Sequence, residues 1–239
     1  MLFPRRVEPF PARRSSGATP LAEGGKTRIW EFERGDVDRW VAWPHHTDPL
    51  FESYNPPVLT ERQRTMYYQQ YRNAAGAKQY AVEDREGRLV GRISLRDADW
   101  KAGISVLGIS FHPQMLGQGL GQDALWSFLG YYFGPLRMSV LLLDVAAFNT
   151  RARRVYDKCG FQPRGQRWGD PQIDHAGIFR MPERRELRAL FHWEHGLVRP
   201  LLVDMVLRKE EWERLRDERA VRVLPNPPIE ARVTSRRSV

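Results

Sequence analysis

The sequence predicts an α/β protein built on one central, largely antiparallel sheet. Three observations carry that reading. Runs of apolar and β-branched residues recur at strand length, among them 89–95, 104–111 and 139–145. Between them lie stretches with apolar residues at helical spacing. The strongest is 119–133, where Leu120, Ala124, Leu125, Phe128, Leu129, Tyr132 and Phe133 share a face. Finally, the strand–turn–helix–strand unit from 104 to 145 permits one right-handed parallel crossover in a sheet that hairpins otherwise make antiparallel.

Composition bounds the possibilities. A chain of 239 residues, 41% of them hydrophobic, can bury one substantial core and carry appendages. No apolar run approaches the ~18 residues of a membrane helix. The N-terminal stretch mixes arginines and prolines without an apolar centre, so a secretory signal is not expected. Cys159 is the sole cysteine, which excludes an intrachain disulfide and a cysteine metal cluster, and makes a cytoplasmic setting the expectation. Of the net charge of +9, residues 1–26 carry +3 and residues 225–239 carry +2. No basic stripe interleaved with aromatics and no zinc-finger or helix-turn-helix signature accompanies it, so neither nucleic acid nor a membrane is the expected partner.

In order, residues 1–26 read as a flexible basic tail, rich in Pro, Arg, Ser and Gly. Residues 27–32 alternate as a first strand, and 36–43 fit a short helix that Pro44 ends. The aromatic, proline-containing stretch 45–57 reads as an ordered loop or broken helix. Thr60 with Gln63 three residues on forms a capping box for a helix to about residue 72. Residues 79–83 and 89–95 make a hairpin around Asp84–Gly87. Strand 104–111 contains Gly108, which suggests a bulge or a close ligand approach. After the 119–133 helix, Gly134-Pro135 stops the chain, and the apolar run 139–145 reads as a strand covered on both faces. Asn149 caps a helix closed by Gly160, followed by a strand over 161–168. Residues 182–194 predict a helix with Pro182 in its first turn. Residues 201–207 form the last strand, 209–224 a charged helix, and 225–239 a second flexible tail.

Two motifs carry chemistry. The first is the turn His112-Pro-Gln-Met-Leu-Gly-Gln-Gly-Leu-Gly-Gln122, with Gly117, Gly119 and Gly121 at alternate positions ahead of a strong helix. Glycine permits positive φ and close backbone approach, and a helix N-terminus presents unpaired N–H groups and a positive dipole end. Together they suit an anionic phosphate. The turn is neither a Rossmann Gly-x-Gly-x-x-Gly nor a Walker A loop. The second motif is Asn149-x-x-Ala152-x-x-x-Tyr156-x-x-x-Gly160-Phe161, following a strand.

The pair resembles the acetyl-CoA site of the GNAT superfamily of N-acetyltransferases. The second motif matches that family's Asn-x-x-Ala-x-x-x-Tyr-x-x-x-Gly-Phe at every position. The first matches Arg/Gln-x-x-Gly-x-Gly/Ala at Gly119 and Gly121, with Leu116 at the leading position. The resemblance spans about 27–208, is most specific over 104–161, and leaves 169–199 as an insertion. The order of elements looks most like the branch that includes ribosomal-protein N-terminal acetyltransferases. The implied fold is a mixed sheet of six or seven strands with helices on both faces.

The resemblance also implies a site. The strands ending at Phe111 and Val145 should splay, so that backbone groups around Ile109 and Phe111 pair with the pantetheine arm of acetyl-CoA. The turn Leu116, Gly117, Gln118, Gly119, Leu120, Gly121, Gln122 would hold the pyrophosphate, with Asn149 and Ala152 on the other side of the arm. Arg151, Arg153 or Arg154 would meet the 3′-phosphate, unless they form only a solvated helix face. Tyr156 occupies the family's general-acid position. No base is singled out among Glu52, Asp97, Asp99, His112 and Asp144; Glu52 borders the expected acceptor pocket with His45, His46 and Tyr54. His175, His192 and His195 read as surface residues, so no metal is expected, and Cys159 as a packing residue. The expected reaction is acetyl transfer to a primary amine: a protein N-terminus, a lysine or a small amine. The 169–199 insertion would form a lid or a homodimer contact. The alternatives are a non-catalytic CoA-binding module and a nucleic-acid-associated protein acting through its basic tails.

Overall fold

The computed structural model describes residues 18–171, 182–195 and 197–223. The strands among them are β1 (Ala22–Glu23), β2 (Thr27–Glu31), β3 (Lys78–Asp84), β4 (Leu89–Asp99), β5 (Ile104–Phe111), β6 (Val140–Ala146), β7 (Gln162–Trp168), β8 (Phe191–Glu194) and β9 (Leu197–Arg208). The helices are α1 (Arg34–Val41), α2 (Glu61–Asn73), α3 (Leu120–Phe133), α4 (Thr150–Lys158) and α5 (Lys209–Val223). The sheet order is β1-β2-β3-β4-β5-β6-β9-β7, with β8 paired to β9. Every pairing is antiparallel except β5 with β6, the crossover that α3 bridges.

Alternation along the strands puts helices on both faces. On β3, Tyr80 and Val82 join a core with Leu125, Phe128 and Leu129 of α3, Cys159 beside α4, and Trp212 of α5. Ala81 between them joins Val37 and Trp40 of α1, with Tyr67 and Tyr68 of α2 packed against that cluster. The capping box at α2 forms as its sequence predicts: Thr60 Oγ1 accepts from the Gln63 N–H at 3.4 Å, and Gln63 Oε1 accepts from the Thr60 N–H at 2.8 Å. A third cluster, Leu50, Ala146, Phe148, Phe191 and Val198, ties a 3-10 helix (Pro49–Tyr54) and the β8–β9 hairpin to the end of β6.

Two expectations need correction. Among the described residues the sheet has nine strands rather than six or seven, because two short strands lie where the sequence shows no alternating run. β1 falls within the stretch read as tail, and its partner is β2. β8 falls within the predicted 182–194 helix. Only 182–190 is helical there, as a 3-10 helix. The aromatic segment from Phe191 turns into a hairpin at His195, whose φ is +51°, and Phe191 stacks on Phe148 at 5.4 Å. That burial outweighs the local helical pattern. The readings placed on residues 1–17, 172–181 and 224–239 lie outside the described residues, His175 included.

Candidate active site

The parallel pair β5–β6 is joined only at its start. Ile104, Ser105 and Val106 pair with Val140, Leu141 and Leu142, and no pairing follows. The Tyr132 hydroxyl pins that start, donating to the Val140 carbonyl at 2.7 Å and lying 2.9 Å from Ser105 Oγ. Beyond it the strands part, so the β6-facing edge of β5 from Leu107 onward has no strand partner. Backbone donors and acceptors in that position call for another partner. A cavity of about 690 Å³ opens there. Leu107–Phe111 line one wall and Asp144–Ala146 the other, with the glycine turn at one end and Asn149–Tyr156 alongside.

Two glycines of the turn are required by backbone conformation. Gly117 and Gly119 adopt φ of +82° and +79°, left-handed values that side chains rarely take. Gly121 is not held to glycine by φ or by contact: a Cβ there would meet the Phe111 ring at an ordinary 3.4 Å. Gly119 is the N-cap of α3, and no side chain caps the helix, so the first-turn N–H groups remain for an anion. Gly108 lines the same cavity, in keeping with a close ligand approach. It forms no bulge; a Cβ would lie 2.4 Å from Ser94 Oγ across the β4–β5 pair.

On the opposite wall, Asn149 Oδ1 accepts from the Ala152 N–H at 3.2 Å, capping α4. Its side chain faces Tyr54 across the cavity that both line. Tyr156 is 7% exposed and packs edge-on against Phe161. Burial, reinforced by Tyr54, Asp144 and Cys159, holds its hydroxyl well above the ordinary phenol range. Tyr54 is raised in the same direction, chiefly by burial, with Asn149 opposing. Although 37% of Tyr54 is exposed, its hydroxyl end is the desolvated part.

Of the sequence-predicted site residues, Ile109, Phe111, Leu116, Gly117, Gly119, Leu120, Gly121, Gln122, Asn149, Ala152 and Tyr156 line this one cavity. Gln118 and Glu52 do not: both are exposed, and neither is on the cavity wall. Of the three arginines, Arg151 and Arg154 line it and Arg153 does not.

The structure also constrains the base candidates. Asp144 lines the cavity but is bound to Arg96 at 2.6 Å, with Arg167 at 3.7 Å. His112 is buried edge-on against Trp43, its Nδ1 accepts from the Gln114 N–H, and burial lowers its pKa. Asp99 accepts from the N–H groups of Lys101 and Ala102 in a turn. Burial raises the Cys159 thiol to about 12, consistent with packing rather than reactivity. Sequence reasoning missed Arg96 and Asp170, both cavity-lining. Arg96 was within reach, as it continues the alternation of Arg92 and Ser94; Asp170 follows β7 with no pattern to mark it.

Residues 27–162 match the acetyltransferase (GNAT) domain model. The chain belongs to the GNAT acetyltransferase family. It is an acetyl-CoA-dependent N-acetyltransferase, and acetyl-CoA is its acetyl donor. Among relatives of this GNAT chain, the spermidine N(1)-acetyltransferase of Vibrio cholerae is 26% identical over 133 residues, 55% of this chain and 69% of that protein. An uncharacterized N-acetyltransferase of Methanocaldococcus jannaschii is 31% identical over 85 residues, 36% of this chain and 53% of that one. The crystal structure of spermidine N-acetyltransferase from Vibrio cholerae in complex with CoA and spermine superposes with a TM-score of 0.60 at 17% identity, covering 78% of this chain and 98% of that one. These GNAT relatives do not single out the ribosomal-protein branch.

Proposed function

We propose that this acetyltransferase acetylates a small primary amine by direct attack on the thioester, in the cavity between β5 and β6. The observation that carries the reading is the parting of these strands after Val106 and Leu142, with the glycine turn and Tyr156 on the same cavity. Backbone N–H groups of 117–122 hold the pyrophosphate. The free edge of β5 around Ile109 and Phe111 pairs with the pantetheine arm, opposite Asn149. A backbone N–H of that edge takes the charge developing on the carbonyl oxygen. The amine nitrogen bonds to the acetyl carbon as the carbon–sulfur bond breaks, Tyr156 gives its proton to the departing thiolate, and the phenol is restored through water by the proton that the new amide nitrogen sheds.

No carboxylate is assigned as base. Asp144 is committed to Arg96, and Glu52 lies off the cavity wall. The amine therefore loses its proton to water at the open end. The acceptor class rests on two supports. Two of the relatives are spermidine N-acetyltransferases of Vibrio cholerae, and the cavity offers apolar surface and the carboxylate of Asp170 beside the cations Arg96, Arg151, Arg154 and Lys158. Phe51, Tyr54 and Phe148 suit a methylene chain, and the carboxylate of Asp170 suits a second ammonium. A thiol-release assay with acetyl-CoA over spermidine, simple monoamines and peptides with free N-termini tests this. The expected result is turnover of small amines with kcat/KM above that of peptides. Turnover of peptides alone would contradict it and favour a protein N-terminus.

A further inference from the structure

The glycine turn has a neighbour that its motif does not contain. Lys26, between β1 and β2, reaches the start of α3. Its Nζ donates to the Gln118 carbonyl at 2.8 Å, and a Cβ built on Gly119 would lie 3.2 Å from the same nitrogen. The segment bearing Lys26 is held in place. Asp123 in the first turn of α3 accepts from the N–H groups of Gly25, Lys26 and Thr27 at 2.8, 3.0 and 2.9 Å, and from Thr27 Oγ1 at 2.7 Å. A Cβ on Gly24 would stand 2.3 Å from Asp123 Oδ2, so a side chain there would displace the carboxylate that holds this segment. On the other side Arg85 donates to the carbonyls of Gly24 and Gly25. The backbone of 24–27 is thus fixed to α3, with the Lys26 ammonium on the glycine turn.

We infer that Lys26 is a positioning residue for the donor's phosphates. It supplies from a distant element the polar group that this chain lacks at Leu116. The inference rests on the reading that 117–122 hold the pyrophosphate. Two physical effects support it. In a trans peptide the C=O and N–H point in opposite directions. Anchoring the Gln118 carbonyl on Lys26, outside the cavity wall, therefore turns the Gly119 N–H toward the cavity that Gly119 lines. The ammonium also carries three donors, of which Gln118 takes one, and adds a positive charge at the flank of the turn. Neither effect reaches the pantetheine arm or the reacting carbonyl, so the consequence is confined to the phosphates.

Lys26→Met and Lys26→Arg, assayed with acetyl-CoA and with S-acetyl-pantetheine, separate this role from a structural one, because the second donor has no phosphate. Lys26→Met is expected to raise KM for acetyl-CoA about tenfold with kcat within about twofold, leave kcat/KM for S-acetyl-pantetheine unchanged, and be rescued by Lys26→Arg to within about threefold. An unchanged KM for acetyl-CoA in Lys26→Met would overturn the inference. So would an equal loss on both donors, which marks a structural contact. A wild-type protein that binds no CoA removes the reading of the turn together with this inference. Wild-type binding with an unaffected Lys26→Met removes this inference alone.

Discussion

Replacing Tyr156 by phenylalanine should lower kcat about 100-fold while leaving acetyl-CoA affinity within about threefold. The ring is buried against Phe161 beside the core, and phenylalanine keeps that packing, so only the hydroxyl is tested. In water a phenol of pKa ~10 is a poor donor to a thiolate of pKa ~8.5, by roughly 2 kcal/mol. Burial raises the Tyr156 hydroxyl further, but the same desolvation raises the proton affinity of a thiolate departing beside it. The expected loss is therefore substantial without being total, because a thiolate also leaves unaided. The sign of the pH dependence follows. A raised phenol pKa keeps Tyr156 protonated beyond the ordinary phenol range, so it imposes no descending limb at working pH. The acceptor amine, with pKa ~10.4, makes kcat/KM rise with pH at a slope near one below its pKa. Tyr156→Phe should keep that slope and lower the whole profile. An unchanged kcat would reduce Tyr156 to a packing residue.

Gly117→Asp should weaken acetyl-CoA binding about 100-fold, against a few-fold at most for Gly117→Asn. The comparison isolates charge. Gly117 sits at φ +82° with open space around a built Cβ, and Asp and Asn both tolerate left-handed backbone better than other side chains. The two variants thus share shape and strain. A carboxylate about 5 Å from one phosphate charge costs about 3 kcal/mol at an effective dielectric near 20, or about two powers of ten in affinity. Calorimetric titration of both variants gives the difference directly. Equal affinities would mean that no anion rests on the turn.

Much of this site was legible in the sequence because its parts are local. Strand 104–111, the turn and α3 are contiguous, and Asn149 caps the single helix that carries Tyr156, so spacing places the two on one face. The capping box at Thr60 is local in the same way. What escaped depends on contacts between distant segments. β1 is two residues long and exists because β2 pairs with it. β8 replaces a predicted helix because Phe191 finds Phe148. Lys26 meets Gln118 across 92 residues of chain, inside a stretch whose composition reads as tail. The pairing of Asp144 with Arg96, which removes the best-placed carboxylate from consideration as a base, also joins two strands that no local pattern connects.

A crystal structure of the protein with CoA tests this site most directly. The pyrophosphate is expected on the backbone N–H groups of 117–122, the pantetheine arm hydrogen-bonded along the free edge of β5 near Ile109 and Phe111, and the thiol beside the Tyr156 hydroxyl. CoA phosphates bound away from the glycine turn, or an arm that leaves the β5 edge unpaired, would contradict that arrangement.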